Sequence, residues 1–306
     1  TPFGVPEPHA DLGLTRDLGH GAAIVQFEGT PAATDEAPAG APVSAPAMAA
    51  VGDTGGSAAI TAVAPTAFAE TTPPSTAVIA GSILNNATLI NNGTVLGGLV
   101  NSAGATATNN GVIRGAVINR GTLTSIGTLG SGLDNSGTAR ISGIVTGAVI
   151  NSGSITLTGT TTGITVLEQA ATGVFNLAGF DTTIGSLSGA GSVLLGGARL
   201  TTGVNGVNTL FSGVISGNGA LTKVGTGALI LTGTNTYTGG TIIAGGILQL
   251  GNGGTSGSIV GPVVNNGAFI INRSDAVTFD GPISGSGLFV QAGTGTTTLT
   301  GANTYR

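Results

Sequence analysis

The sequence predicts an all-β fold: a right-handed parallel β-helix (β-solenoid) preceded by an irregular Pro/Ala-rich N-terminal arm. Three observations carry that prediction. Glycine is unusually abundant, at 57 of 306 residues. An Asn-x-Gly-x-(Val/Ile/Leu) unit recurs at short, nearly constant intervals of sixteen to eighteen positions, and a longer phrase recurs after 68. Charged residues make up only 7% of the chain, against about 25% in ordinary globular proteins. Disorder does not follow, because disordered chains are poor in apolar residues and rich in net charge, whereas this one is 40% hydrophobic with a net charge of -5.

The arm comes first, at residues 1–76. Ten of the twelve prolines lie there, with eight acidic residues and one basic. Proline fixes φ and removes a backbone donor, so the segment reads as an acidic arm or linker with at most one short strand, in GAAIVQFEG (21–29). Residues Ile24, Val25, Gln26 and Phe27 of that stretch are a candidate assembly strand, able to add to the sheet of a neighbouring copy by β-augmentation.

The solenoid is expected over residues 77–306, with Asn-Gly coils at 77–180 and the longer phrase at 181–306. In the first part the unit appears as Asn91-Asn-Gly-Thr-Val, Asn109-Asn-Gly-Val-Ile, Asn119-Arg-Gly-Thr-Leu and Asn151-Ser-Gly-Ser-Ile. Such spacings are too short for a propeller blade or a helical-pair repeat, each of which needs more than about 30 residues. They suit one coil of a solenoid, whose short strands pair in parallel with those of the next coil about 4.8 Å away. Inward positions then need small or β-branched apolar residues. Corners are expected to need φ > 0, which Gly and Asn supply, and Asn repeated at one corner can stack its amides in a ladder. Parallel crossovers are almost always right-handed.

In the second part, Phe211-Ser-Gly-Val-Ile-Ser-Gly-Asn-Gly matches Phe279-Asp-Gly-Pro-Ile-Ser-Gly-Ser-Gly, and Tyr237 matches Tyr305 at the same 68-residue offset. The run SGNGALTKVGTGALILTGTNTYTGGTIIAGGILQLGNGGTSGSI (216–259) resembles the autotransporter-associated β-strand repeat of passenger domains in type V secreted bacterial proteins. A second copy starts at Ile283, replaces Leu-Thr-Lys by Phe-Val-Gln and stops at Arg306. The resemblance implies an exported rod at the bacterial cell surface, structural or adhesive, carried out by its own outer-membrane translocator barrel. Strands of such a barrel do not occur in the sequence, so the chain is expected to be a piece of a longer protein.

Chemistry is sparse. His9 and His20, the two histidines, lie in the arm. Asp134, Glu168, Asp181, Asp275 and Asp280 are spread singly over the solenoid, whereas an enzymatic β-helix would gather three or more acids on successive coils. No catalytic residue, cofactor or metal site is expected, and the absence of cysteine excludes thiolate sites. With pI near 4.7 and eight scattered basic residues, there is no basic stripe for nucleic acid. No apolar run approaches the roughly 18 residues of a membrane-spanning helix. Phe211, Phe269, Phe279 and Phe289 are expected to stack in the core. Tyr237 and Tyr305 are candidate surface contacts for sugar rings, or else corner-packing residues. The expected partners are a host or neighbouring-cell surface, or other copies of the chain; the alternative to a passenger rod is a subunit of a self-assembling filament or surface layer.

Overall fold

The computed structural model describes residues 14–15, 24–25, 60–62 and 78–306. Residues 78–306 form a parallel β-solenoid of about 12 coils, a rod roughly 50 to 60 Å long at the usual strand spacing. Most strands gather in three parallel sheets, named faces 1, 2 and 3. Face 1 is the 17-stranded sheet, which contains Leu99–Asn101, Val117–Asn119 and, further on, Ala228–Leu231 and Ala268–Ile271. Face 2 has eight strands, from Thr88–Asn91 to Val214–Ser216, and face 3 has six, from Thr182–Ile184 to Ile283–Ser284. Where the sequence offered at most one short strand within 1–76, three are described: Leu14–Thr15 pairs antiparallel with Ile24–Val25, and Ile60–Ala62 pairs parallel with Ile83–Asn85 at the edge of face 1.

The register gives the coil lengths. Ile83 pairs with Leu99, Leu99 with Val117, Val117 with Leu133 and Leu133 with Val149, so each coil advances the chain by sixteen or eighteen positions. From Leu167 onward the steps lengthen, as in Leu167 to Leu187 and Leu248 to Phe269. Each strand alternates inward and outward, so apolar side chains form buried columns. On face 2 the inward column reads Leu89, Ala107, Leu123, Ala139, Ile155, Phe175, Val193 and Ile215. From Leu89 to Ile155 large and small residues alternate, which keeps neighbouring layers from colliding in a narrow bore.

The Asn of the Asn-x-Gly unit points inward. Asn85, Asn101, Asn119, Asn135, Asn151 and Gln169 are all buried and stacked one per coil. Each amide donates to the side-chain oxygen of the next member at 2.7 to 2.8 Å. Its second hydrogen goes to a main-chain carbonyl of that coil, as from Asn119 Nδ2 to Thr138 O at 3.0 Å. The ladder stops at Gln169, whose Nε2 has no partner among the described residues. Its neighbour on the next coil is Gly189, which has no side chain to accept it.

The glycines of the unit answer a different need from the one expected. Gly111 of the unit, and Gly127 and Gly143 in the same column on the next two coils, do not have positive φ. They stack directly, and a Cβ on each would lie 1.9 to 2.0 Å from the carbonyl oxygen of the glycine one coil before. Close approach of neighbouring coils, rather than a left-handed turn, fixes glycine there.

The 68-residue sequence repeat is not a whole number of coils. Leu221 on face 3 pairs with Thr241, Thr241 with Val263 and Val263 with Ile283, so three complete coils end six positions short of it. Those six carry the chain to face 1, where Phe289, the repeat equivalent of Leu221, pairs with Phe269. The second copy therefore begins one face further round the rod than the first.

Two consequences are measurable. Asn119→Ala removes an acceptor from the buried Asn101 and a donor from the buried Asn135 and from the part-buried Thr138 O, and should lower stability by about 3 kcal/mol in urea denaturation. Asn110→Ala, on the exposed side of the corner, should change it by less than about 0.5 kcal/mol. Gly127→Ala should cost at least as much as the buried Asn substitution, since backbone carbonyls of the neighbouring coil cannot yield. Gly254→Ala, with open space around the added carbon, should leave the urea midpoint where it is.

Candidate functional site

The four phenylalanines singled out in the sequence lie in or against the core. Phe211 and Phe269 are fully buried, Phe279 nearly so, and Phe289 packs against the same cluster. Phe269 meets both Phe279 and Phe289 edge-on at 5.7 Å between ring centroids, a preferred aromatic geometry.

The two tyrosines part company. Tyr237 is completely buried, its hydroxyl sharing a 2.6 Å hydrogen bond with Thr241 Oγ1. Burial pushes its phenol far above the ordinary tyrosine range, an effect the Thr241 bond partly offsets. A surface contact at Tyr237 is therefore corrected to a packing role: a ring enclosed by its own and neighbouring coils cannot stack on an external sugar. Tyr305, at the same repeat position, is 38% exposed and leans on Phe289 at 6.1 Å. Of the candidate assembly strand, Ile24–Val25 is described and Gln26 and Phe27 lie outside the described residues, as do His9 and His20.

Lys223 was not singled out by sequence reasoning, because a lone lysine in a repeat normally lies at the surface. Here it is 1% exposed. Its Nζ donates to the carbonyls of Val224 at 2.7 Å, Gly245 at 3.4 Å and Gly225 at 3.5 Å, and burial lowers its pKa. The repeat itself held the signal. Gln291, which replaces it in the second copy, donates from Nε2 to Gly293 O, the equivalent of Gly225 O. Both side chains are long donors that satisfy carbonyls of the turn that follows them.

The acids do not converge. Asp134 and Glu168 sit on one outward row of face 1, separated by Ile150 on the coil between them. Asp275 forms a two-point pair with Arg273, at 2.9 Å to Nε and 2.7 Å to Nη2, which holds its carboxyl below the usual range. The same guanidinium donates to the carbonyls of Thr255 and Gly257, so Arg273 clamps the exposed loop at 252–256. Asp280 stays at the surface and does not join this pair. Among the described residues no three His, Asp or Glu side chains gather as metal ligands. A cavity of about 30 Å³ beside Ile259, Ile271 and Phe279 has room for a water molecule, far from the roughly 300 Å³ of a ligand pocket. No helix among the described residues is long and apolar enough to cross a membrane.

Face 2 carries two outward rows in unbroken register. One is Thr88, Thr106, Thr122, Thr138 and Ser154; the other is Ile90, Thr108, Thr124, Arg140 and Thr156. The rows are about 7 Å apart, and their members repeat about every 4.8 Å along the rod.

The described residues thus form a parallel β-solenoid whose acidic side chains do not gather into one site. Comparison with known proteins makes this specific. Residues 221–250 and 289–306 match the passenger-associated-transport-repeat family. Over 129 residues, 41% of the chain, it is 38% identical to the adhesin BmaC autotransporter of Brucella suis biovar 1 (strain 1330), of whose length this covers 4%. No solved structure matches.

The two buried titratable groups predict an alkaline signature of opposite signs. With the Lys223 pKa lowered in the fold, the unfolded chain binds the extra proton below the ordinary lysine value, so this group adds stability as pH rises towards about 10.4. With the Tyr237 pKa raised, only the unfolded chain ionises above about 10, and stability falls there. In urea titrations across this range, Lys223→Met should flatten the rise and Tyr237→Phe should abolish its own share of the fall.

Proposed function

We propose that this chain is an adhesive segment of an autotransporter passenger: a stiff, non-catalytic rod held at the bacterial cell surface or released outside it. The observation that carries the reading is the coincidence of the passenger repeat with a 129-residue stretch 38% identical to an autotransporter adhesin, both found on a chain built as a scaffold. In such a rod the backbone groups of each coil are spent on the next, so contact with another surface falls to outward side chains. Export uses a translocator barrel in the outer membrane, and the surface of a host or neighbouring cell is the partner. Tyr305, partly exposed at its repeat position, belongs to that contact surface.

One observation favours the filament as a second reading. Ile60–Ala62 seats a strand from the arm in parallel on Ile83–Asn85, at the edge of face 1. The same geometry would serve a strand supplied by a neighbouring copy, with Ile24–Phe27 as a further candidate.

Beads coated with residues 1–306 should attach to target cells several-fold more than beads coated with an unrelated β-solenoid of similar length. Attachment at the control level would overturn the adhesive reading. Negative-stain images of 1–306 and 77–306 over a concentration series separate the two proposals: single rods from both support the passenger, and fibres from the longer chain alone support the filament.

A further inference from the structure

The two outward rows of face 2 have hydroxyl groups left over. Many hydroxyls on this solenoid are used internally: Ser131 donates to Arg114 O at 2.7 Å, Thr172 to Ser152 O at 2.7 Å, and Ser102 to Asn86 Oδ1. The hydroxyls of Thr88, Thr106, Thr122, Thr138 and Ser154, and of Thr108, Thr124 and Thr156, bond to nothing among the described residues. Inward residues (Leu89, Ala107, Leu123, Ala139 and Ile155) support these strands from beneath, and the parallel register runs through all five coils without a bulge. The result is a rigid grid in which nearly every coil offers a donor-acceptor hydroxyl at the same two points, most of them with a methyl group beside it.

Resting on the adhesive reading, we infer that this grid is the contact surface and that its ligand is an uncharged polysaccharide chain lying along the rod axis. Its charge argues for that occupant. Arg140 is the one charged side chain in the two rows, so the face attracts neither a polyanion, which needs a basic stripe, nor a cationic partner. Its strands are paired on both sides except at Thr88–Asn91, which ends the sheet, so within the grid there is no place for an added peptide strand. Its apolar content is methyl groups and Ile90, too little to enter a lipid surface. A neutral polyol fits on every count. Each sugar hydroxyl both donates and accepts, as each threonine hydroxyl does, and the coil spacing is close to the length of one pyranose ring. Successive coils therefore address successive sugars. Weak single contacts add along the chain because the first one tethers the rest. Arg140 adds a planar donor fork within the grid.

The test uses the full chain, with mixed-linkage β-glucan as the extended neutral probe, dextran as the flexible neutral one and hyaluronan as the charged one. Affinity electrophoresis should show β-glucan retarding the protein most, with little dependence on salt. The fourfold variant Thr106→Val, Thr108→Val, Thr122→Val, Thr124→Val keeps the branched shape and loses the hydroxyls; its affinity should fall at least tenfold. The matching fourfold Thr→Ser variant keeps the hydroxyls and should stay within about threefold of the parent. Equal binding by parent and Val variant, or preference for hyaluronan, overturns the inference. Running the bead assay on the same variants separates the two ideas. If the parent adheres and the Val variant adheres equally well, the face is wrong and the adhesive reading stands; if the parent does not adhere, that reading fails by itself.

Discussion

Everything in this protein depends on the hydrogen bonding of one coil to the next. At a coil spacing of about 4.8 Å, there is room between layers for a backbone and little else. That spacing selects the residues. Glycines stack where a carbonyl occupies the place of a Cβ, as in the column Gly111, Gly127, Gly143. Side chains that point inward meet their own counterparts above and below, so identity along a column is rewarded when the group can bond to itself. The carboxamide is such a group, donor at one end and acceptor at the other, and the run from Asn85 to Gln169 exploits it.

The same constraint governs how the interior changes along the rod. While the coils are short, from Ile83 to Val149, the bore is narrow and lined by the amide ladder. Longer coils widen it beyond Leu167, and aromatic rings take over: Phe175, Phe211, Tyr237 and Phe269 are among the largest fully buried side chains. The junction is visible as an unsatisfied amide at Gln169 above Gly189. In the wider half, buried polar needs are met one at a time, by Lys223 on three carbonyls and by Asn235, which bonds Ile215 N and Ser258 O.

Much of this was legible in the sequence, because a solenoid writes its period directly into the chain. The all-β class, the short coil and the stacked Asn amides follow from Asn-x-Gly recurring at so brief an interval. Many glycines do take the positive φ expected of corners, but the role of those stacked at Gly111, Gly127 and Gly143 did not follow. Positive φ and close approach both select glycine, and only the neighbouring coil tells them apart. Tyr237 and Tyr305 look equivalent in sequence, yet one is enclosed and the other is not, since enclosure depends on the layers around a ring. The burial of Lys223 was hidden because charge is normally a mark of the surface. The hydroxyl grid was present as Thr-x-Thr at 106–108 and 122–124, but threonine is also a good strand former, and only the register shows the rows to be continuous and outward.

The mismatch between the 68-residue repeat and the coil turns a linear array into a screw. The second copy of the motif is presented in a new direction, one face round the shaft from the first. A binding feature confined to one coil face, like the hydroxyl grid, looks one way only. A feature that belongs to the repeat is wound around the shaft, so a rod assembled from many such repeats has no blind side.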